Sequence, residues 1–143
     1  MKKLNKIKGY AVPLLCGIFF FVLLQFVFLI GYVPTDSMVP TIKEGSLVFG
    51  YRIFSNLDNK DVVVFEHDGR LLTKRIAAMP GETVYIDSNN KFVSDAQDAE
   101  RILMVPENCY FLLGDNTNSS IDSRFWSNPF VPKEDIVAKL WNK

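Results

Sequence analysis

The chain has 143 residues, a formal net charge of zero, 48% hydrophobic residues and 22% charged ones. That length suits one compact domain plus an appendage. With the charge balanced, nothing suggests nucleic acid, so no nucleic-acid partner is expected.

Predicted elements follow in chain order. The first eight residues carry four lysines: Lys2, Lys3, Lys6 and Lys8. An apolar run extends from Tyr10 to Tyr32, interrupted mainly by Gln25. At about 1.5 Å per residue a helix over this run reaches roughly 33 Å, enough for a hydrocarbon core of about 30 Å. Pro13 sits near its start, where a helix best tolerates proline. Lysines ahead of the run favour a cytoplasmic N-terminus. The expected organisation is a cytoplasmic segment over 1–9, a transmembrane signal anchor over 10–32 and an extracytoplasmic domain over 33–143. A cleavable signal peptide is shorter and ends on small residues, which this run lacks. A lipoprotein signal needs a small residue before its cysteine, but Leu15 precedes Cys16. A buried soluble helix leaves the flanking lysines without a purpose.

From Val33 onward the pattern changes to short strands and turns. Ser46–Ile53 and Asp61–Glu66 are rich in strand formers. Asp68-Gly69 signals a tight hairpin turn, with Arg70–Met79 as the returning strand. Pro80-Gly81 stops that strand and Glu82–Asp87 begins another. Ser88–Val105 is polar and reads as a surface excursion. Cys109–Asn116 reads as a strand ending in a turn, and Asp135–Trp141 as a final strand or short helix. The expected fold class is mostly β, an N-terminal transmembrane helix followed by a folded-over antiparallel sheet. The two cysteines, Cys16 and Cys109, fall in different environments, so no disulfide is expected. No Cys/His cluster has zinc spacing and the only histidine is His67, so neither metal nor cofactor is implied.

Strand alternation puts Leu72, Lys74 and Ile76 on one face, with Thr73 and Arg75 on the other. If the apolar pair faces the core, Lys74 goes inward too, and burial disfavours its ammonium form. Lowering a lysine from about 10.4 to near 7 corresponds to about 4–5 kcal/mol. The alternative is a lysine on an exposed sheet edge, where it would discourage aggregation.

Three boxes in order resemble the type I signal peptidases, membrane-bound serine proteases of protein export. Thr35–Thr41 (TDSMVPT) resembles the nucleophile box, a Ser-Met followed shortly by Pro-Thr. Thr73–Glu82 (TKRIAAMPGE) resembles the Lys-Arg box ending in Pro-Gly and an acid. Gly114–Arg124 (GDNTNSSIDSR) resembles the Gly-Asp-Asn box ending in Ser-x-Asp-Ser-Arg, and Phe130–Pro132 matches a stretch that commonly follows. The single anchor and small body resemble the compact Gram-positive type.

The resemblance implies a signal peptidase fold and a Ser/Lys dyad, with Ser37 as nucleophile and Lys74 as general base. It further implies that Ser120 orients the Lys74 amine, that Asp122 and Arg124 pair to brace the site, and that the Ser37 N–H and Thr35 hydroxyl meet the oxyanion. Met38 becomes pocket wall. Thr117, Ala78, Met79 and Ser127 depart from the family's usual arginine, glycine, leucine and glycine. The implied substrates are exported preproteins with small residues before the cleavage site, bound extended beside a strand edge. The implied location is the outer face of the cell membrane, with membrane lipid and the export translocase as further partners. Phe125, Trp126, Phe130 and Trp141 are candidates for the lipid interface, core packing being the alternative for each. Two other readings remain: a catalytically silent accessory protein of the same fold in pilus or surface-protein assembly, and a self-cleaving repressor. The second requires a DNA-binding domain and no anchor.

Overall fold

The computed structural model describes residues 2–141. A helix, α1 (Lys2–Val27), is followed by strands β1 (Phe28–Tyr32), β2 (Leu47–Tyr51), β3 (Val62–His67), β4 (Arg70–Ala78) and β5 (Thr83–Ile86). Strands β6 (Phe92–Val93), β7 (Arg101–Met104), β8 (Cys109–Leu113), β9 (Phe130–Pro132) and β10 (Ile136–Leu140) complete the chain. A seven-stranded sheet runs in the order β1-β2-β10-β3-β4-β8-β9, and a three-stranded sheet in the order β6-β5-β7. All pairs are antiparallel, as expected.

The predicted helix is corrected at its end. It stops at Val27, and Phe28–Tyr32 is strand instead. Aromatic and branched residues there pair with β2 from Phe28↔Tyr51 to Tyr32↔Leu47, and the Arg52 N–H donates to the Val27 carbonyl at 2.7 Å. A backbone partner alongside decides what the apolar run alone left open. Among the described residues this is the one helix long and apolar enough to cross a membrane, over Tyr10–Val27, and none of that stretch is buried.

The excursion over 88–105 is also corrected. It supplies β6 and β7, which flank β5. Alternation hides Leu103 against the core cluster of Ala78, Val84, Ile86, Val105 and Phe111 while Ile102 and Met104 stay exposed. The β3–β4 hairpin turns on Asp68 and Gly69, both at positive φ (49° and 72°), the geometry its Asp-Gly pair predicts. The final segment, Ile136–Leu140, is strand. Cys16 and Cys109 are free thiols.

Two further apolar clusters sit under the large sheet. One gathers Leu29, Val33, Met38, Val48, Val62, Val64, Ala138 and Leu140; the other centres on Phe65, Ile76, Tyr110 and Leu112. The outer side of β1–β2 is different. Phe28, Ile30, Tyr32, Leu47 and Phe49 are exposed there, next to the end of α1. A cleft of about 1170 Å3 opens between that face, the end of α1 and the loop Pro40–Lys43.

Candidate active site

Lys74 lies in the middle of β4, between Leu72 and Ile76 on the inward face, and is only 4% exposed. Its neighbour Arg75 points the other way. The β4–β8 pairing places Arg75 opposite Leu113, the last residue of β8. One position further, β8 has become a loop at Gly114. Where a strand partner ends, space for a functional side chain begins.

That loop folds back over the end of β8. The Ser123 hydroxyl accepts the Leu112 N–H at 2.9 Å, and the Ser123 N–H donates to the Leu112 carbonyl at 3.1 Å. Ser120 is thereby turned inward, and Lys74 Nζ donates to its Oγ at 2.9 Å. Gly114 is the point of closest approach. A Cβ there would overlap the Ser120 side chain and stand 2.7 Å from the Ser37 carbonyl oxygen. Ser37, Gly114, Ser120 and Lys74 are thus gathered in one place from widely separated stretches.

Ser37 sits on a tight turn between β1 and β2, closed by the Val39 N–H to the Asp36 carbonyl at 2.9 Å. It is 9% exposed, and its Oγ lies 3.4 Å from Thr35 Oγ1. Met38, next to Ser37, has no exposed surface and packs with Val33 and Val62. This flexible apolar side chain fills space in that cluster directly after Ser37 in the chain.

The electrostatics follow from burial. Desolvation lowers the Lys74 pKa below its ordinary 10.5; Asp122 pulls the other way, Arg124 adds to the lowering, and Asp115 and Asp36 oppose it more weakly. Asp122, with no exposed surface, accepts from Arg124 Nε and Nη2 at 2.8 Å and from the Gly114 N–H at 3.0 Å. Burial pushes its carboxyl up, but these bonds and that of Ser120 outweigh burial and hold it below the usual range. Arg124 also donates to the Thr117 carbonyl at 3.2 Å, a backbone contact indifferent to the residue at that position. Among the described residues, no buried side-chain polar atom lacks a partner.

Several residues were missed as participants. Arg75 grips Asp115 through Nε at 2.7 Å and Nη2, and reaches the Lys60 carbonyl and the Thr41 hydroxyl. Arg101, from the supposed excursion, donates to the Arg124 carbonyl at 2.7 Å. Asp36 accepts from Ser119 and Asn116. Alternation marked Arg75 as outward but not its partner, and nothing in the local sequence links residues 101 and 124. Of the aromatic candidates, Trp126 packs against the core and stacks on His67 at 4.0 Å, and Phe130 packs on the third cluster. Phe125 and Trp141 are exposed.

An antiparallel β fold behind one apolar helix, with Ser37 on a tight turn and the buried Lys74 amine bonded to Ser120, points to a class of serine peptidases. The family model described as signal peptidase, peptidase S26, matches residues 7–102 and 87–141, and the chain belongs to that family. Relatives include a probable signal peptidase I-1 of Synechocystis sp., 29% identical over 132 residues, covering 75% of this chain and 66% of that protein. A signal peptidase I of Leptolyngbya laminosa is 27% identical, covering 76% of this chain and 64% of its own length. The chain therefore spans about two thirds of the length of these relatives. A Staphylococcus aureus protein named inactive signal peptidase IA is 24% identical over 96% of this chain and 91% of its own. A crystal structure of a signal peptidase I from Enterococcus faecalis V583 aligns with a TM-score of 0.47 at 24% identity, covering 62% of this chain and all of that one.

Proposed function

We propose that this protein is a membrane-anchored endopeptidase that removes signal peptides from exported preproteins. The observation that carries this reading is Lys74, a buried lysine whose amine is held by Ser120 and whose charged form is disfavoured, with Gly114 packed between Ser120 and the Ser37 carbonyl. A serine hydroxyl at neutral pH needs an adjacent base to attack a carbonyl. Neutral Lys74 takes the Ser37 proton as Oγ bonds to the scissile carbonyl carbon. The same proton then passes to the leaving amine. Water, deprotonated by Lys74, hydrolyses the acyl-enzyme and returns Ser37. The Ser37 N–H and the Thr35 hydroxyl meet the oxyanion. Ser120 orients the amine, and Asp122 with Arg124 hold the loop that carries Ser120.

The anchor is α1 over Tyr10–Val27, with the N-terminal lysines on the cytoplasmic side and the sheet domain outside. The exposed apolar side of β1–β2 continues from the helix end, and a contiguous patch of that kind on a soluble monomer is unusual. It lies in the lipid headgroup region, with Trp141 beside it. That face brings Ser37 to the level at which a membrane-inserted signal peptide emerges. The substrate lies extended, with small residues before the cut, and the translocase delivers it.

A second reading is a silent relative, favoured by the inactive name of the Staphylococcus aureus protein that aligns over most of the chain. One experiment separates them. Full-length protein in detergent micelles is mixed with a preprotein, alongside Ser37→Ala and Lys74→Ala. The peptidase reading expects cleavage by the wild type and loss of it in both variants, with both still folding cooperatively. Turnover retained by either variant discards the dyad, and an inert wild type favours the silent reading.

A further inference from the structure

Ser37 and Lys74 belong to different parts of the chain, and no strand pairing joins them directly. Lys74 is fixed to the loop after β8 through Ser120. Ser37 rides on the turn between β1 and β2. What sets their separation is whatever ties that turn to that loop.

The tie is made one residue upstream of each serine. Asp36 precedes Ser37, and Ser119 precedes Ser120. The Ser119 hydroxyl donates to Asp36 Oδ1 at 2.8 Å, with Oδ2 at 3.0 Å. Asn116 adds three bonds: Nδ2 to Asp36 Oδ2 and to the Asp36 carbonyl, each at 3.3 Å, and its N–H to the Ser37 carbonyl at 3.0 Å. We propose that Asp36 is a positioning residue for cleavage: its carboxylate latches the Ser37 turn onto the Ser119–Ser120 loop and so sets the spacing of nucleophile and base.

This rests on the peptidase reading and adds to it. Displacing a reacting group by about 1 Å can cost about a hundredfold in rate. Asp36 is half-buried, and charge-assisted bonds of this kind are stronger than neutral ones. The residue type matters. An ionised aspartate accepts at both oxygens and serves Ser119 and Asn116 together, whereas asparagine has one acceptor oxygen and alanine none. Asp36 also acts on Lys74 through space. Its charge favours the ammonium form, as do Asp122 and Asp115, while Arg124 and burial oppose it.

The test uses the full chain in detergent micelles, with Asp36→Ala, Asp36→Asn, Ser119→Ala and the Asp36→Ala/Ser119→Ala double variant. In Asp36→Ala, kcat on a preprotein falls about tenfold or more with KM nearly unchanged, as loss of charge-assisted hydrogen bonds implies. The double variant is no worse than Asp36→Ala alone, because both changes open one latch. Asp36→Asn keeps one acceptor oxygen, so its kcat falls less than that of Asp36→Ala, again with KM nearly unchanged; a merely structural role moves Tm without this graded split of kcat from KM. Losses that multiply in the double variant, or an Asp36→Asn variant no better than Asp36→Ala, overturn the proposal. So does a normal kcat in Asp36→Ala. Acylation of Ser37 by a small serine-directed reagent is measured in parallel, because it needs the nucleophile and base but no signal peptide. A wild type that acylates but leaves preproteins intact defeats the substrate reading alone. The same acylation rates across the four variants then decide the latch. If Asp36→Ala melts early, Ser119→Ala carries the comparison.

Discussion

The amine of Lys74 lies 2.9 Å from the hydroxyl of Ser120, at the point where β8 gives way to a loop. Ser120 is 5% exposed and Lys74 4% exposed, so water does not compete for this bond. A lysine side chain has many rotamers, and this contact selects one. Ser120→Ala therefore frees the amine without removing it. Cleavage should fall by about tenfold to a hundredfold, on the scale of a lost buried hydrogen bond that positions a base. Ser120→Thr, which keeps a hydroxyl, should lose less in a preprotein cleavage assay. Equal rates for Ser120→Ala and wild type would remove Ser120 from the site.

Lys74 makes stability and activity depend on pH in linked ways. Burial lowers its pKa in the folded protein, so the neutral amine appears below the ordinary lysine range. Cleavage should rise with pH through the folded value, and a rate flat between about pH 5 and 9 would count against a lysine base. The unfolded chain holds the lysine proton more tightly than the folded one. Between the folded value and about 10.4, stability thus rises with pH; below the folded value the penalty is complete and constant. Lys74→Met should raise Tm near neutral pH, and the gain should vanish at strongly alkaline pH. A lower Tm for Lys74→Met at neutral pH would contradict a costly buried ammonium.

Arg124 and Asp122 form a pair with 2% and 0% side-chain exposure. Breaking such a pair leaves one buried charge alone, at a cost of about 3–5 kcal/mol. Arg124→Met should lower Tm by several degrees and weaken cleavage, since the loop carrying Ser120 loses its brace. The Asp122 pKa is lowered, so its contribution is present above the ordinary carboxylate value of about 3.9 and is lost as pH falls through the folded value. Acid unfolding of Arg124→Met should therefore begin at a higher pH than that of wild type. Thermal melts across an acid pH series check both statements.

Gly114 should tolerate no side chain. Even alanine would meet Ser120 and the Ser37 carbonyl. Gly114→Ala should reduce cleavage more than it reduces Tm, because the displaced groups are the Ser37 turn and the partner of Lys74. Activity and melting measured on one preparation separate the two effects.

The outer side of β1–β2 should matter only when lipid is present. Ile30 and Phe49 are cross-strand partners and both exposed. Ile30→Asp with Phe49→Asp should weaken cleavage of preproteins embedded in liposomes while leaving cleavage of a short soluble peptide in detergent unchanged. Equal effects on the two substrates would assign this face to the fold.

The sequence by itself determined the parts whose information is local. Strand alternation placed Lys74 inward between Leu72 and Ile76, and the Asp68-Gly69 pair set the β3–β4 hairpin, because period and turn chemistry are written within a few residues. The motif order also pointed to Ser37 and Ser120. Tertiary structure alone decided where α1 stops, since Phe28–Tyr32 is apolar enough for a helix and becomes strand through β2. It also made strands of residues within 88–105, and it buried Met38 entirely. It joined Asp36 to Ser119 and Arg101 to the Arg124 carbonyl, contacts between stretches far apart in the chain. A hydrogen bond across such a separation leaves no periodic trace in either stretch; only when the sheet closes do its two ends come within reach.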